Sequence, residues 1–327
     1  MQSDKTADRT PPRGNHLSIV VPVFNDGTSM AALMARLAPV LEATGMAWEV
    51  VAVNDGSADD TLACLLALHA REPRLVVVDL SRNFGKERAL SAGLAHAKGD
   101  AVVMIDADLQ HPPETIPALL AHWHEGFEVV YAVREQRMDQ GWFPRLLSRF
   151  FYAVFDRLSE VPVPRGAGDF RLLDRQVVDV INRMPERTRF MKGIYSWVGF
   201  RQTGVPYREE IRREGATKWP LLGLMRLAMD GLTAFSTFPL RVWTVVGAVI
   251  SGLAFLYIVI RLMRVLIHGI DVPGYESIIV IVLFLGGIQL LTLGIIGDYV
   301  GRIFSEVKGR PLYVVRRTYG TGEPPRD

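Results

Sequence analysis

Short apolar runs alternate with longer amphipathic stretches through about residue 133 of this chain. Leu17–Val23 (LSIVVPV), Glu49–Val53 (EVVAV), Leu75–Asp79, Ala101–Ile105 (AVVMI) and Glu128–Val133 each predict a strand. The β-branched residues in AVVMI, with no polar alternation, predict a strand buried on both faces. Helices are expected from the Phe24–Gly27 turn to about Thr44, from Asp59–Thr61 to about Ala70, over Lys86–Ala97, and from Glu114 to about His124. Strands alternating with helices of this length argue for an α/β fold with a mostly parallel sheet.

The last third has a different pattern. Val242–Ile260 and Ser277–Gly297 carry no charged residue and are bounded by Arg241 and Arg261, and by Glu276 and Asp298. Each is long enough to cross about 30 Å of hydrocarbon as a helix. Asp271, Pro273 and Gly274 punctuate the stretch between them, so a transmembrane hairpin is expected. Ahead of it, Trp219–Phe238 mixes Leu and Met with Arg226 and Asp230 and reads as interfacial amphipathic helix. At the other end, residues 1–16 are polar with Pro and Gly and read as disordered.

Composition narrows the chemistry. The chain has 327 residues, room for one large domain or two. A net charge of +2 gives no bulk attraction for nucleic acid. Cys64 is the only cysteine, which excludes an internal disulfide and a cysteine-based metal centre.

The polar residues that remain fall where a sheet binds ligands. Asp26, Asp55, Asp106 and Asp108 each follow a predicted strand, at the carboxyl edge where open α/β sheets carry their sites. In Asp106-Ala107-Asp108-Leu109-Gln110 two carboxylates and an amide oxygen stand together. Such hard oxygen donors suit Mg²⁺ or Mn²⁺, which usually bridge one or two carboxylates to substrate phosphates. The segment Gly166–Leu172 (GAGDFRL) sets glycines beside Asp169, which is either a site residue or a salt-bridge partner of Arg171. Basic residues Arg212, Arg213 and Lys218 precede the apolar third.

The segments VVPVFND (Val20–Asp26), VNDGSADDT (Val53–Thr61), SRNFGKERALSAGL (Ser81–Leu94) and DADLQHPPE (Asp106–Glu114) resemble family 2 glycosyltransferases of the GT-A fold. No GxGxxG follows the first strand, which disfavours a dinucleotide-binding domain. The resemblance implies a nucleotide-sugar donor, with Pro22, Phe24 and Asp26 lining the nucleoside pocket and Val53 and Asp55 beside the base. Asp106, Ala107 and Asp108 would follow the diphosphate, Asp108 and Gln110 would ligate the metal, and Arg134 would assist. It also implies that Asp169 faces the acceptor as base or orienting group, and that Arg213 and Lys218 bind phosphate.

RFMKGIYSWVGFRQTGVPYR (Arg189–Arg208), Thr217–Arg241 and the expected hairpin narrow the resemblance to polyprenyl-phosphate glycosyltransferases, which include dolichol-phosphate mannose synthase. The segments look most like bactoprenol glucosyltransferases of the GtrB type. That family implies inverting transfer of glucose from UDP-glucose to undecaprenyl phosphate, with the lipid-linked sugar passed to a flippase and a further transferase for cell-envelope glycan modification, such as that of lipopolysaccharide O-antigen. Homo-oligomers are implied as well. Other sugars on the same scaffold (N-acetylglucosamine, mannose, formamido-arabinose) and an inactive membrane scaffold are the alternatives. A processive synthase is disfavoured, since no Gln-x-x-Arg-Trp occurs. The expected organisation is a catalytic domain over 17–217, interfacial helices over 218–240, a hairpin over 241–298 with spans near 242–262 and 277–297, and a tail over 299–327. Arg302, Lys308, Arg310, Arg316 and Arg317 in that tail place it and the catalytic domain on the cytoplasmic face of the inner membrane.

Overall fold

The computed structural model describes residues 13–134, residues 167–208 apart from 185, 188 and 190, isolated positions between 249 and 267, and residues 274–320. Strands β1 (His16–Val23), β2 (Ala47–Asn54), β3 (Leu75–Leu80) and β4 (Ala101–Met104) are separated by helices α1 (Gly27–Ala43), α2 (Thr61–Arg71) and α3 (Lys86–His96). A 3-10 turn over Pro113–Thr115 leads into α4 (Ile116–His124), and β5 spans Val129–Arg134. Then come β6 (Ala167–Asp174), α5 (Arg175–Arg183), α6 (Met191–Trp197), β7 (Gln202–Tyr207), α7 (Tyr275–Val307) and β8 (Val315–Tyr319).

The strands form one sheet in the order β7-β5-β6-β4-β1-β2-β3-β8. Pairs β1–β2, β1–β4, β2–β3 and β5–β7 are parallel. β6 enters antiparallel between β4 and β5, and β8 adds antiparallel to β3. The chain is therefore α/β with a mostly parallel sheet, as its alternating pattern predicts. Parallel pairing aligns the carboxyl ends of β1, β2 and β4 along one edge, and that edge carries the acidic turns.

Both faces of the sheet are covered, which explains why its strands lack polar alternation. Leu17, Ile19 and Val21 pack with Met30, Leu33 and Leu37 of α1 and Trp123 of α4 in one fully buried cluster. On the opposite face α3 lies against β1 and β2. Gly93 makes this close approach possible, because a Cβ there would sit 2.2 Å from Val20 Cγ1.

Three features differ from the sequence expectation. Residues 13–16 are part of the domain: Arg13 lies over the Trp123 ring and donates to Phe127 O at 3.0 Å, and β1 begins at His16. Helix α7 continues past Asp298 to Val307. The stretch expected to be a tail contains β8, whose partner strand lies more than two hundred residues earlier, a pairing that no local pattern announces.

Two compact units divide the chain: residues 1–156, 161–220 and 311–327 form one, and residues 157–160 and 221–310 form the other. In the second unit, the helical positions described between residues 249 and 267, and α7, expose large apolar side chains, Leu290 being 72% exposed. Among the described residues one helix, over Phe284–Val307, is long and apolar enough to cross a membrane.

Candidate active site

A cleft of about 350 Å³ opens at the carboxyl edge of the sheet. Its walls come from the ends of β1 (Pro22, Phe24, Asp26), β2 (Asp55) and β4 (Asp106, Ala107, Asp108), and from Asn83, Gly85 and Lys86 at the start of α3. Three separate acidic turns thus meet at one cavity. Phe24, 46% exposed, offers an apolar ring face beside them.

Local chemistry shapes each turn. Asn25 takes φ 50°, its N–H donates to Ser57 Oγ at 2.9 Å, and its Oδ1 accepts from Ala58 N–H at 3.0 Å. Those bonds stitch the loop after β1 to the loop after β2. Asp26 N–H donates to Thr61 Oγ1 at 3.0 Å. Leu109 takes φ 61°, uncommon for a branched residue, and turns the chain so that Asp108 Oδ1 accepts from Gln110 N–H at 3.1 Å. Residues held this way recur where a backbone is shaped for a site.

Asp55 is buried, and both its oxygens are engaged: Oδ1 accepts from Phe84 N–H at 2.7 Å and Oδ2 from Gly85 N–H at 2.9 Å. Burial raises its pKa, and the two amide donors oppose that rise. The carboxylate thereby holds the Ser81–Gly85 loop against the cleft. Gly56 permits the approach, since at φ 63° a Cβ would lie 2.2 Å from Arg82 C.

Lys86 is the residue the sequence reading missed. Its Nζ lies 2.8 Å from both oxygens of Asp106 and 2.8 Å from Asp169 Oδ2. Burial alone would lower the Lys86 pKa, but the two carboxylates raise it. Burial alone would raise the Asp169 pKa, but the same ammonium together with Lys192 and Arg171 holds that carboxyl below its usual range. The only hint in the sequence was position, the first turn of a helix entering the acidic edge.

Beneath Lys86, Glu87 Oε2 accepts from Met191 N–H at 3.1 Å, and burial followed by the charge of Asp169 pushes the Glu87 pKa up to about 7. Arg171 is buried, stacks 3.9 Å over the Tyr195 ring and donates to Gly168 O. Of the two readings of Asp169, the close ion pair is with Lys86; Arg171 acts on it only at longer range. His111 packs against Phe170 and Tyr207, with Nδ1 3.9 Å from Asp106 Oδ2, and burial lowers its pKa.

The cleft therefore brings together Pro22, Phe24, Asp26, Asp55, Asp106, Ala107 and Asp108, and reaches Asp169 through Lys86. Val53 does not line it: the side chain is fully buried in β2, under Gly93 of α3, because its position in the pleat points it to the helix face. Gln110 lies two residues beyond the lining segment, and Arg134 ends β5 at the same sheet edge. Arg213 and Lys218 lie outside the described residues.

The residues fit a divalent ion. The donors are hard carboxylate oxygens, and an ammonium already sits on Asp106, so the position attracts a cation. No group of three or more His, Cys, Asp and Glu among the described residues could hold a metal alone. An ion here would need substrate phosphates to complete its shell, the usual mode for Mg²⁺.

Residues 18–181 match the glycosyl transferase family 2 profile, and residues 238–303 match that of the GtrB C-terminal hairpin. The chain belongs to glycosyltransferase family 2. An uncharacterized glycosyltransferase of Synechocystis is 48% identical over 93% of this chain and 96% of its own length. The bactoprenol glucosyl transferase of Shigella phage SfII is 43% identical over 93% of this chain and 98% of its own. Glucosyl-3-phosphoglycerate synthase from Mycobacterium tuberculosis, solved with Mn²⁺, UDP-glucose and phosphoglyceric acid, is 21% identical over 66% of this chain and 77% of its own, with a TM-score of 0.43. Its family makes the chain a glycosyltransferase with the GT-A fold, and the cleft is its candidate active site.

Proposed function

We propose that this glycosyltransferase moves a sugar, glucose from UDP-glucose, onto undecaprenyl phosphate with inversion at the anomeric carbon. The observation that carries the reading is the convergence of Phe24, Asp26, Asp55, Asp106 and Asp108 on one cleft. Similarity to bactoprenol glucosyl transferases over nearly the whole chain supports the lipid acceptor and the sugar.

In this reading Pro22, Phe24 and Asp26 hold the nucleoside, and Asp55 fixes the loop that closes over it. Asp106 and Asp108 follow the diphosphate, and Asp108 with Gln110 would hold Mg²⁺ or Mn²⁺. When bound, such an ion neutralises charge developing on the departing diphosphate. A lipid phosphate is already ionised at neutral pH, so an oxygen can attack the anomeric carbon without a strong base. The new carbon–oxygen bond forms as the bond to UDP breaks, and no proton needs to move. Asp169 then serves to orient Lys86, which keeps Asp106 in place. Arg134, Arg213 and Lys218 are candidate phosphate ligands.

The membrane arrangement belongs to the same proposal: spans near 242–262 and 277–297, interfacial helices between residues 218 and 240, and the catalytic unit at the cytoplasmic face of the inner membrane. The position of β8 supports it. This strand follows α7 in the chain yet pairs within the catalytic sheet, which calls for an even number of crossings. The lipid-linked product would then require a flippase and a second transferase, and copies of the chain would associate through the hairpin.

A panel of nucleotide sugars, offered to the full chain in liposomes containing undecaprenyl phosphate, tests the reading. Mass spectrometry should detect one glucosyl lipid, formed from UDP-glucose. Preferential use of another sugar would overturn the donor assignment, and UDP release without a glycosylated lipid would overturn the acceptor.

A further inference from the structure

Strand β8 was absent from every sequence expectation, and its contacts run toward the cleft. It pairs with β3 in the register Val77–Tyr319, Val78–Thr318 and Asp79–Arg317, with a shift before Leu80–Val315. Beyond the shift Ser81 N–H donates to Val314 O at 2.9 Å, and Arg316 Nη2 donates to Ser81 O at 2.8 Å. Both backbone groups of Ser81 are thus held by the returning C-terminal segment. Arg316 Nη1 also lies 3.8 Å from Asp79 Oδ2, a carboxylate only 2% exposed.

Asp79 in turn leads to the cleft. Its Oδ1 accepts from Asn54 Nδ2 at 2.7 Å, and Asn54 Oδ1 accepts from Ser57 N–H at 3.2 Å in the loop that Asn25 stitches to β1. On the other side, Ser81 opens the loop whose Phe84 and Gly85 amides grip Asp55 and whose Asn83, like Gly85, lines the cleft. Arg316 is therefore joined to the nucleoside end of the site by two routes, a hydrogen bond to Ser81 O and a 3.8 Å ion pair with Asp79.

We propose that β8 is a strap for the donor pocket and that Arg316 is a positioning residue for nucleotide-sugar binding, acting through the Ser81–Gly85 loop and the Asp79–Asn54 pair. The proposal rests on reading the cleft as the donor site. Arg316 never touches the donor, so its effect is on affinity for the nucleotide and not on the chemical step. The strap forms only once the chain beyond α7 has returned to the sheet. A chain cut after Thr217 accordingly lacks part of its donor pocket as well as its hairpin.

The test uses the full chain with Arg316→Gln, Arg316→Lys and, as a marker of the pocket, Asp26→Ala. UDP affinity is measured by calorimetry with Mg²⁺, alongside kcat, the KM of each substrate and Tm. Arg316→Gln should weaken UDP binding and raise the donor KM about fivefold, leaving kcat, acceptor KM and Tm near wild type. Arg316→Lys should recover part of the loss, since its ammonium can meet Asp79 or Ser81 O but lacks the fork that serves both. Wild-type UDP affinity in Arg316→Gln, with Asp26→Ala weakened, would refute the strap and leave the donor site standing. A fall in Tm with both KM values rising together would refute it too, marking a purely structural strand. Unchanged UDP affinity in Asp26→Ala would remove the donor reading, and the strap with it.

Discussion

Two sets of carboxylates share one end of the sheet and live in opposite surroundings. Asp26 and Asp108 line an open cleft, each just past the end of a parallel strand. Asp169 and Glu87 are buried on β6 and α3, where positive charge prevails at the first and burial at the second, and Lys86 pairs Asp169 with Asp106 of the cleft. Asp106 belongs to both, lining the cleft while it pairs with Lys86. The difference separates two kinds of work. An accessible carboxylate can meet a cation or a ligand as it arrives. A buried one has its charge answered inside the protein and can only hold something else in place.

Substitutions should separate the two sets, and the largest effect belongs to the cleft. Asp108→Asn removes charge from the diphosphate end and should lower transfer by about a thousandfold while the chain stays folded. Steady-state transfer with Mg²⁺, alongside a thermal melt, checks this; turnover near wild type would end the distinction. Lys86→Met touches both sets. It leaves Asp106 and Asp169 without their shared partner and should cost about a hundredfold in kcat and, since the lysine is half exposed, about 1–2 kcal/mol in stability. A denaturant titration and kcat on the same preparation read both quantities; a loss of stability with kcat intact would reduce Lys86 to a structural role.

Asp55 is a buried carboxylate at the accessible end, so it sharpens the comparison. Asp55→Ala should free the Phe84 and Gly85 amides and raise the donor KM about tenfold with acceptor KM unchanged. Equal effects on both substrates would place its influence beyond the donor pocket.

The smallest effect on transfer is expected at Glu87. The folded chain keeps its proton to about pH 7, against 4.5 for the ordinary carboxyl. Its contribution to stability is therefore fully present below pH 4.5, declines as pH rises, and is lost above pH 7. Glu87→Gln keeps an acceptor for Met191 N–H and should flatten that slope, gaining about 1–2 kcal/mol over wild type at pH 8 with transfer changed less than twofold. Parallel stability curves for the two chains would show that Glu87 is ionised throughout.

The carboxylates around the cleft were legible in the sequence, and Asp169 was singled out with them, but its pairing with Lys86 and the place of Glu87 were not legible, for a physical reason. Asp26, Asp55, Asp106 and Asp108 each follow an apolar run, so recognising the strands located the carboxylates at one edge. The pairing of Lys86 with Asp169 joins a helix start to a strand more than eighty residues later, and β6 enters antiparallel where alternation predicts parallel neighbours. Val53 follows the same logic: the sequence marks it as a strand end, and the pleat decides which face its side chain takes. β8 was hidden because VRRTY beside so many charges reads as tail, and an edge strand needs no apolar pattern on its open side.

The most direct test of the account joins the cleft to the chemistry. The full wild-type chain and Asp108→Asn are supplied with UDP-glucose, Mg²⁺ and undecaprenyl phosphate in liposomes, and the anomeric configuration of the lipid-linked sugar is read by NMR. The account predicts a β-linked product from the wild type, inverted relative to the donor, and essentially none from the variant. A product of retained configuration, or one formed undiminished by Asp108→Asn, would contradict it.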